Sequence, residues 1–287
     1  MVLLPVILFL FQTGGEKLPE IAGYDFGDKK MASIHLPKEL AEASGLAFTS
    51  DGRLFGHNDE VGIIHEIDYH SGAIRQSFSL GKLAVYRDDL EDIATKKGDA
   101  RRDTIFMINS SGVILRFLPG NNKEKISFQT FKTPLSIRND VEGLAYDPDT
   151  DCLLLACKGE AGIGFSNTVP ANHRAVYAFS LKTYKLLPKP RFLIPVAKIA
   201  AQIKEKEFAP SAIARHPRTG NFFVMAARGN AIVELDANGN LLAVSALPKS
   251  LHAQPEGLAI AANGTVVICN ESPGKDKPGK LVVYSPR

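Results

Sequence analysis

One phrase returns five times along this chain: "ASGLAF" (43–48), "LEDIAT" (90–95), "VEGLAY" (141–146), "PSAIAR" (210–215) and "PEGLAI" (255–260). Each copy runs into a turn rich in Gly, Asp, Asn or Pro, and then into a second apolar run such as "TIFMIN", "CLLLACK" or "TVVICN". A third, alternating run follows, for example "IIHEID" (63–68) or "KLVVYS" (280–285), and a fourth leads into the next copy. Short alternating runs separated by such turns are strands joined by hairpins. Four strands in a repeat of roughly 40 to 50 residues is the pattern of a β-propeller blade. A β-sandwich leaves the return of the phrase unexplained. The strand carrying the phrase is read as the innermost, with small residues at 45, 47, 143, 145, 212, 214, 257 and 259 where strands crowd an axis.

The fold class is therefore all-β, a propeller of four-stranded blades. Five copies predict five blades; six is the alternative if 181–207 conceals another. That stretch reads better as an insertion between blades three and four, because "PVAKIAAQIKEKE" (195–207) has proline at a helix start and apolar residues at helical spacing. The last repeat stops after its third strand, while "MASIHLP" (31–37) is a strand with no inner strand before it. Pairing the two completes the final blade and removes two exposed sheet edges.

A chain of 287 residues, 45% hydrophobic, can bury one large core. The domain reading is an export signal or membrane anchor over 1–15, a linker over 16–29 and a single propeller over 30–287. The uncharged run "VLLPVILFLFQTGG" (2–15) is short for a membrane span and fits the apolar core of an export signal, with an uncleaved anchor through residues 2–11 as the variant. The predicted location is thus the periplasm or cell envelope, free or attached to the plasma membrane. Lys plus Arg (34) nearly balance Asp plus Glu (31), for a formal charge of +3, so no nucleic-acid partner is expected. Tryptophan is absent, which weighs against sugar stacking on indole rings. Cys152 and Cys157 lie at opposite parity in one strand and Cys269 in an equivalent strand; all three read as small buried hydrophobes.

The repeat also predicts a site. The start of each inner strand and the end of each second strand face the same end of a propeller's channel. The residues there are Ser44, Glu91, Glu142, Ser211 and Glu256, and then Asn58, Asn109, Lys158, Arg228 and Asn270. Glu91, Glu142, Glu256, Asn58, Asn109 and Asn270 supply hard oxygen donors of the kind calcium takes. Carboxylates aimed at one axis repel each other and need compensation. Calcium is one answer, an ion-pair network with Lys158 and Arg228 another, and a carboxylate- or water-filled channel a third. The loops 158–174 and 270–280 border that end, and His57, His173 and His252 are the candidate general bases. No G-x-S-x-G, H-E-x-x-H, phosphate loop or zinc spacing occurs.

Through "EASGLAFTSDGRLFGHNDEVGIIHEID", "DDLEDIA" and "VEGLAYDPDTDCLLLACK", the chain resembles the SdiA-regulated (YjiK-like) family of bacterial envelope propellers, from about Lys30 to the C-terminus. The resemblance implies an exported or inner-membrane-attached protein without an assigned activity. Ser44 and Ser211 depart from a fully acidic ring. The resulting expectation is a monomeric envelope propeller that binds a small molecule or an envelope protein at its channel mouth. The alternative is a calcium-dependent phosphoesterase or lactonase-like hydrolase at the same site.

Overall fold

The computed structural model describes residues 19–98, 102–164, 169–272, 274 and 277–287. It is a five-bladed β-propeller of antiparallel four-stranded blades. The inner strands are Ala43–Phe48, Leu90–Lys96, Val141–Asp147, Ala212–Arg215 and Pro255–Ile260, so every copy of the phrase lies where the repeat placed it. The last blade runs from Pro255–Ile260 through Val266–Asn270 and Lys280–Tyr284 to Ser33–His35, which pairs Ser33 with Val282 and His35 with Lys280. The ends of the chain thus share one sheet, as predicted.

The stretch 181–207 makes no sixth blade. It supplies the split outer edge of blade three, Lys185–Leu186 and Phe192–Ile194, and then the helix Val196–Ile203. Val196 and Ile199 of the helix pack, with Phe208, into the apolar cluster between blades three and four. Lys204 ends the helix in the left-handed region, at φ 59°.

Each junction between neighbouring blades carries its own apolar cluster, including the junction of blade five with blade one, where Leu258's neighbour Ala259, Val267, Cys269 and Leu281 meet Leu46, Leu54 and Ile67. The ring is closed by burial as well as by strand pairing. Cys152 and Cys157 fall in clusters on opposite faces of blade three, and all three cysteines are free and buried.

Two departures stand out. The segment expected to be a linker (16–29) contributes three side chains to the core. Ile21, Tyr24 and Phe26 are buried between blades four and five, Phe26 lying 4.7 Å from the Tyr284 ring. The Ile21 N–H donates to Glu234 Oε2 at 2.8 Å, the Tyr24 hydroxyl donates to the Gly264 carbonyl at 2.6 Å, and the Arg287 N–H donates to the Gly23 carbonyl. The charged flank "EKLPE" concealed an apolar strap a few residues further on. Second, the connection between the third and fourth strands of blade two leaves its blade. Its Lys125–Ile126 pairs in parallel with Ile74–Leu80 of blade one. Residues 1–15 lie outside the described part, and among the described residues no helix is long and apolar enough to cross a membrane.

If the strap closes the ring, Phe26→Ala should destabilise by about 3 kcal/mol or more, as buried aromatic truncations do. For a domain of this size that is a fall in Tm of roughly 6 °C or more, read by thermal melting. An unchanged Tm would make the strap an ornament.

Candidate functional site

The inner strands do not present their mouth residues through regular pairing. The ladder slips between Leu90 and Asp92, between Val141 and Gly143, and between Pro255 and Gly257. The residue bulged out in each case is Glu91, Glu142 or Glu256. Blade one slips likewise across Ser44 and Gly45. A β-bulge sets an extra residue outside the ladder and re-aims its side chain. Three equivalent glutamates therefore leave three blades at the same level and converge on one end of the channel.

Their electrostatics show the convergence. Burial, then the charges of Glu142 and Asp89, push the Glu91 carboxyl up to about 9. Burial, then Glu142 and Glu271, push Glu256 up to about 8. Glu142 is raised by its own burial against the pull of Lys158. Glu271, from the loop after blade five's second strand, joins them; burial followed by Asp59 and Glu42 moves it to about 7. Among the described residues, one cation faces this group. Lys158 Nζ sits 2.7 Å from Glu142 Oε1 and also feels Glu256; burial opposes its charge, and the glutamates more than restore it. Its backbone is held at both ends, the N–H donating to the Asp140 carbonyl and the carbonyl accepting from Arg174 Nε at 2.6 Å.

The remaining predicted residues do other work. Arg228 is exposed and forms no ion pair among the described residues, so Lys158 is the cation at the mouth. The Ser44 hydroxyl donates to the Glu91 carbonyl of blade two at 2.6 Å, and the Ser211 hydroxyl to the Pro255 carbonyl of blade five at 2.8 Å. The two serines thus stitch neighbouring blades where an acid would have joined the ring. Asn58 Oδ1 accepts the Glu60 N–H. Asn109 accepts from Val113 N–H and Ser111 and donates to Asp88. Asn270 Oδ1 meets His252 Nδ1 at 3.2 Å, while its buried Nδ2 has no partner among the described residues. The second ring of carboxamides is spent on turns and on a histidine.

The histidines are structural. His252 bridges Asn270 and the Tyr284 hydroxyl, and burial holds it near 4. His57 is fully buried, likewise near 4, with Nδ1 against the Asn58 carbonyl. His173 pairs with Asn172. The loops 158–174 and 270–280 each include residues outside the described part.

One residue escaped the sequence reading. Asp92 occupies the position held by Gly45, Gly143 and Gly257 in three other copies. It is buried, its Oδ2 accepting the Leu144 N–H of blade three at 2.7 Å and its Oδ1 the Ile93 N–H at 2.8 Å. Burial drives its carboxyl well above the usual range against these donors and a third, the Ile213 N–H. It ties the inner strands of three blades together beneath the glutamates. The signal was present in the sequence, as the lone acid at a glycine position of the repeat. Beyond it the opposite end of the channel opens on a small cavity of about 120 Å³ lined by all five inner strands.

Calcium does not fit these side chains as they stand. Three of its six proposed donors serve local structure, Glu142 is engaged by Lys158, and among the described residues no three acidic, His or Cys side chains come close enough to hold a metal ion.

No family model matches the chain, and no curated protein matches it in sequence. Solved structures match it in fold. The PQQ-bound aldose sugar dehydrogenase from Streptomyces coelicolor aligns with TM-score 0.55 and 14% identity, over 91% of this chain and 99% of that one. The Myxococcus xanthus glutaminyl cyclase aligns with TM-score 0.54 and 13% identity, over 90% and 96%. A luciferin-regenerating enzyme aligns with TM-score 0.52 and 11% identity, over 89% and 95%. At such identities the likeness is one of fold: the chain is a β-propeller.

The raised carboxyls carry a pH signature. A carboxyl that binds its proton more tightly when folded leaves the folded state with more protons, so stability falls as pH rises through the interval between its unfolded and folded values. Below 6.5 the buried histidines, whose shift has the opposite sense, offset this. From about pH 7.5 to about 9 they are neutral in both states, and Glu256 and Glu91 still titrate. Thermal melts should show Tm falling across that window, with a shallower slope and a higher Tm at the alkaline end in Glu91→Gln.

Proposed function

We propose that this protein is an exported cell-envelope propeller of the SdiA-regulated (YjiK-like) kind that binds a ligand or partner at the acidic mouth of its channel, with no catalytic role assigned. The observation that carries the reading is the set of glutamates from equivalent bulges, Glu91, Glu142 and Glu256, facing Lys158 as the one cation among the described residues. Buried carboxyls with one cation among them are under-compensated, and a ligand carrying positive charge or several N–H donors would relieve them. Repeat geometry holds the three side chains on rigid strands, which suits recognition. Export rests on the apolar run at 2–15 and on the family resemblance.

Binding is favoured over calcium-dependent hydrolysis by the occupancy of the donors. The carboxamides are engaged, and burial holds His57 and His252 near 4, so neither imidazole is a poised base beside the glutamates.

The expected outcome is direct. Calcium leaves the Tm of the unmodified protein unchanged, whereas Lys158→Met destabilises it by about 3 kcal/mol because Glu142 is left buried and unpaired. Spermidine or arginine raises Tm in the parent protein and fails to do so in Glu91→Gln/Glu256→Gln. A chelator-reversible shift with calcium, of the several degrees that tight binding to the folded state alone produces, would overturn the reading in favour of a metal site. Fractionation of cells making the full chain tests export separately.

A further inference from the structure

The charge balance of +3 conceals an uneven distribution. Where the connection after Ile114–Phe117 leaves blade two and its Lys125–Ile126 pairs onto blade one, it opens a groove of about 800 Å³ on the outside of the ring. A second cavity of about 480 Å³ adjoins it; Arg102, Thr104, Arg116 and Leu118 line both. Lys82 and Lys125 add to the first, Lys96 and Lys97 to the second. Six cations from four separate stretches of chain therefore face one continuous depression.

The nearby acids do not neutralise them. Glu124, the sole acidic lining residue of the groove, has its Oε2 held by the N–H and Nδ2 of Asn121. Asp103 is buried and its two oxygens accept from Ser50. Only Lys96 is paired, with Asp151. Among the described residues, Lys82, Lys97, Arg102, Arg116 and Lys125 form no ion pair. The Arg116 guanidinium reaches only neutral partners, Gln129 Oε1 at 3.4 Å and the Tyr184 hydroxyl at 3.3 Å. Self-repulsion of this kind is relieved by an anion. A single carboxylate would offset one of five free cations. A chain of phosphoryl groups would offset several, and the two arginines shared by both cavities present the planar donor forks that suit phosphoryl oxygens.

We infer that this groove is a binding site for a ligand carrying several phosphoryl groups, distinct from the channel mouth and held chiefly by Arg102 and Arg116 between flanking lysines. Two sources share that chemistry, a free oligophosphate and the phosphate headgroups of a lipid surface. The groove's apolar rim of Leu118, which is 48% exposed, and neighbouring Leu83, 97% exposed, is compatible with either.

The test titrates the full chain with sodium tripolyphosphate and, in parallel, with vesicles of phosphatidylglycerol or of phosphatidylcholine alone. Tripolyphosphate should bind, weaken by about an order of magnitude when salt rises from low to physiological strength, and lose about tenfold or more in affinity in Arg102→Gln/Arg116→Gln. Circular dichroism and Tm of that variant should match the parent, since Arg102 is exposed and Arg116 reaches only neutral partners. Lys158→Met should bind tripolyphosphate as the parent does, which separates this site from the mouth. Selective capture by phosphatidylglycerol vesicles, lost in the same double variant, would support the site with a lipid as its source. Absence of binding to both probes at low salt, or binding indifferent to the two arginines, would overturn the assignment. So would tighter binding of a random-sequence oligonucleotide than of tripolyphosphate.

Discussion

The close approach of the five inner strands around the axis is the constraint on which the rest depends. At Gly45 a Cβ would lie 2.8 Å from the Asp92 Cα, and at Gly257 it would lie 2.6 Å from the Ser44 carbonyl oxygen. Neither neighbour can yield, because each is the backbone of the adjoining blade. The small residues of the repeated phrase are thus the condition for closing a ring as small as five blades. Where one copy replaces glycine with Asp92, the carboxyl takes its place among the strands as an acceptor for their N–H groups. That substitution converts a steric opening into a polar tie across three blades.

The same crowding creates the mouth. Strands pressed together at the axis accommodate by bulging just before Asp92, Gly143 and Gly257, and the bulged residue is the one turned toward the channel. Glu91, Glu142 and Glu256 are therefore products of the closure rather than additions to it. In the blades carrying Ser44 and Ser211, the position stitches the ring instead. Blade one bulges at Ser44 as the glutamate blades do, whereas the inner strand of blade four pairs without a shift, and in both the short hydroxyl makes an inter-blade hydrogen bond in place of a charged site residue. The cationic groove has another origin, in a connection that strays from its own blade to extend the sheet of its neighbour.

Blade number, strand order, the pairing of Ser33–His35 with Lys280–Tyr284 and the helix Val196–Ile203 could be argued from the chain, because each rests on periodicity, turn residues and spacing. The positions of Glu91, Glu142, Glu256 and Lys158 at one mouth followed from the same register. Their neighbours did not. The fates of Asn58, Asn109 and Asn270 depend on which turn amide or histidine lies within hydrogen-bond reach, and a repeat alignment carries no such information. The strap from Ile21 to Phe26 was masked for a related reason: its apolar residues are few, and only the groove between blades four and five makes them core.

By itself, then, the sequence determined the repeat, and with it the architecture and the level at which acids line the channel, because hairpin periodicity is a local property of the chain. Tertiary structure alone decided the balance of charge. Lys158 reaches Glu142 while Arg228 stays exposed, and Lys82, Arg102, Arg116 and Lys125 gather from separate stretches of chain into one groove. Coulomb energy and desolvation depend on distances and burial in three dimensions, and those distances exist only once the ring has closed.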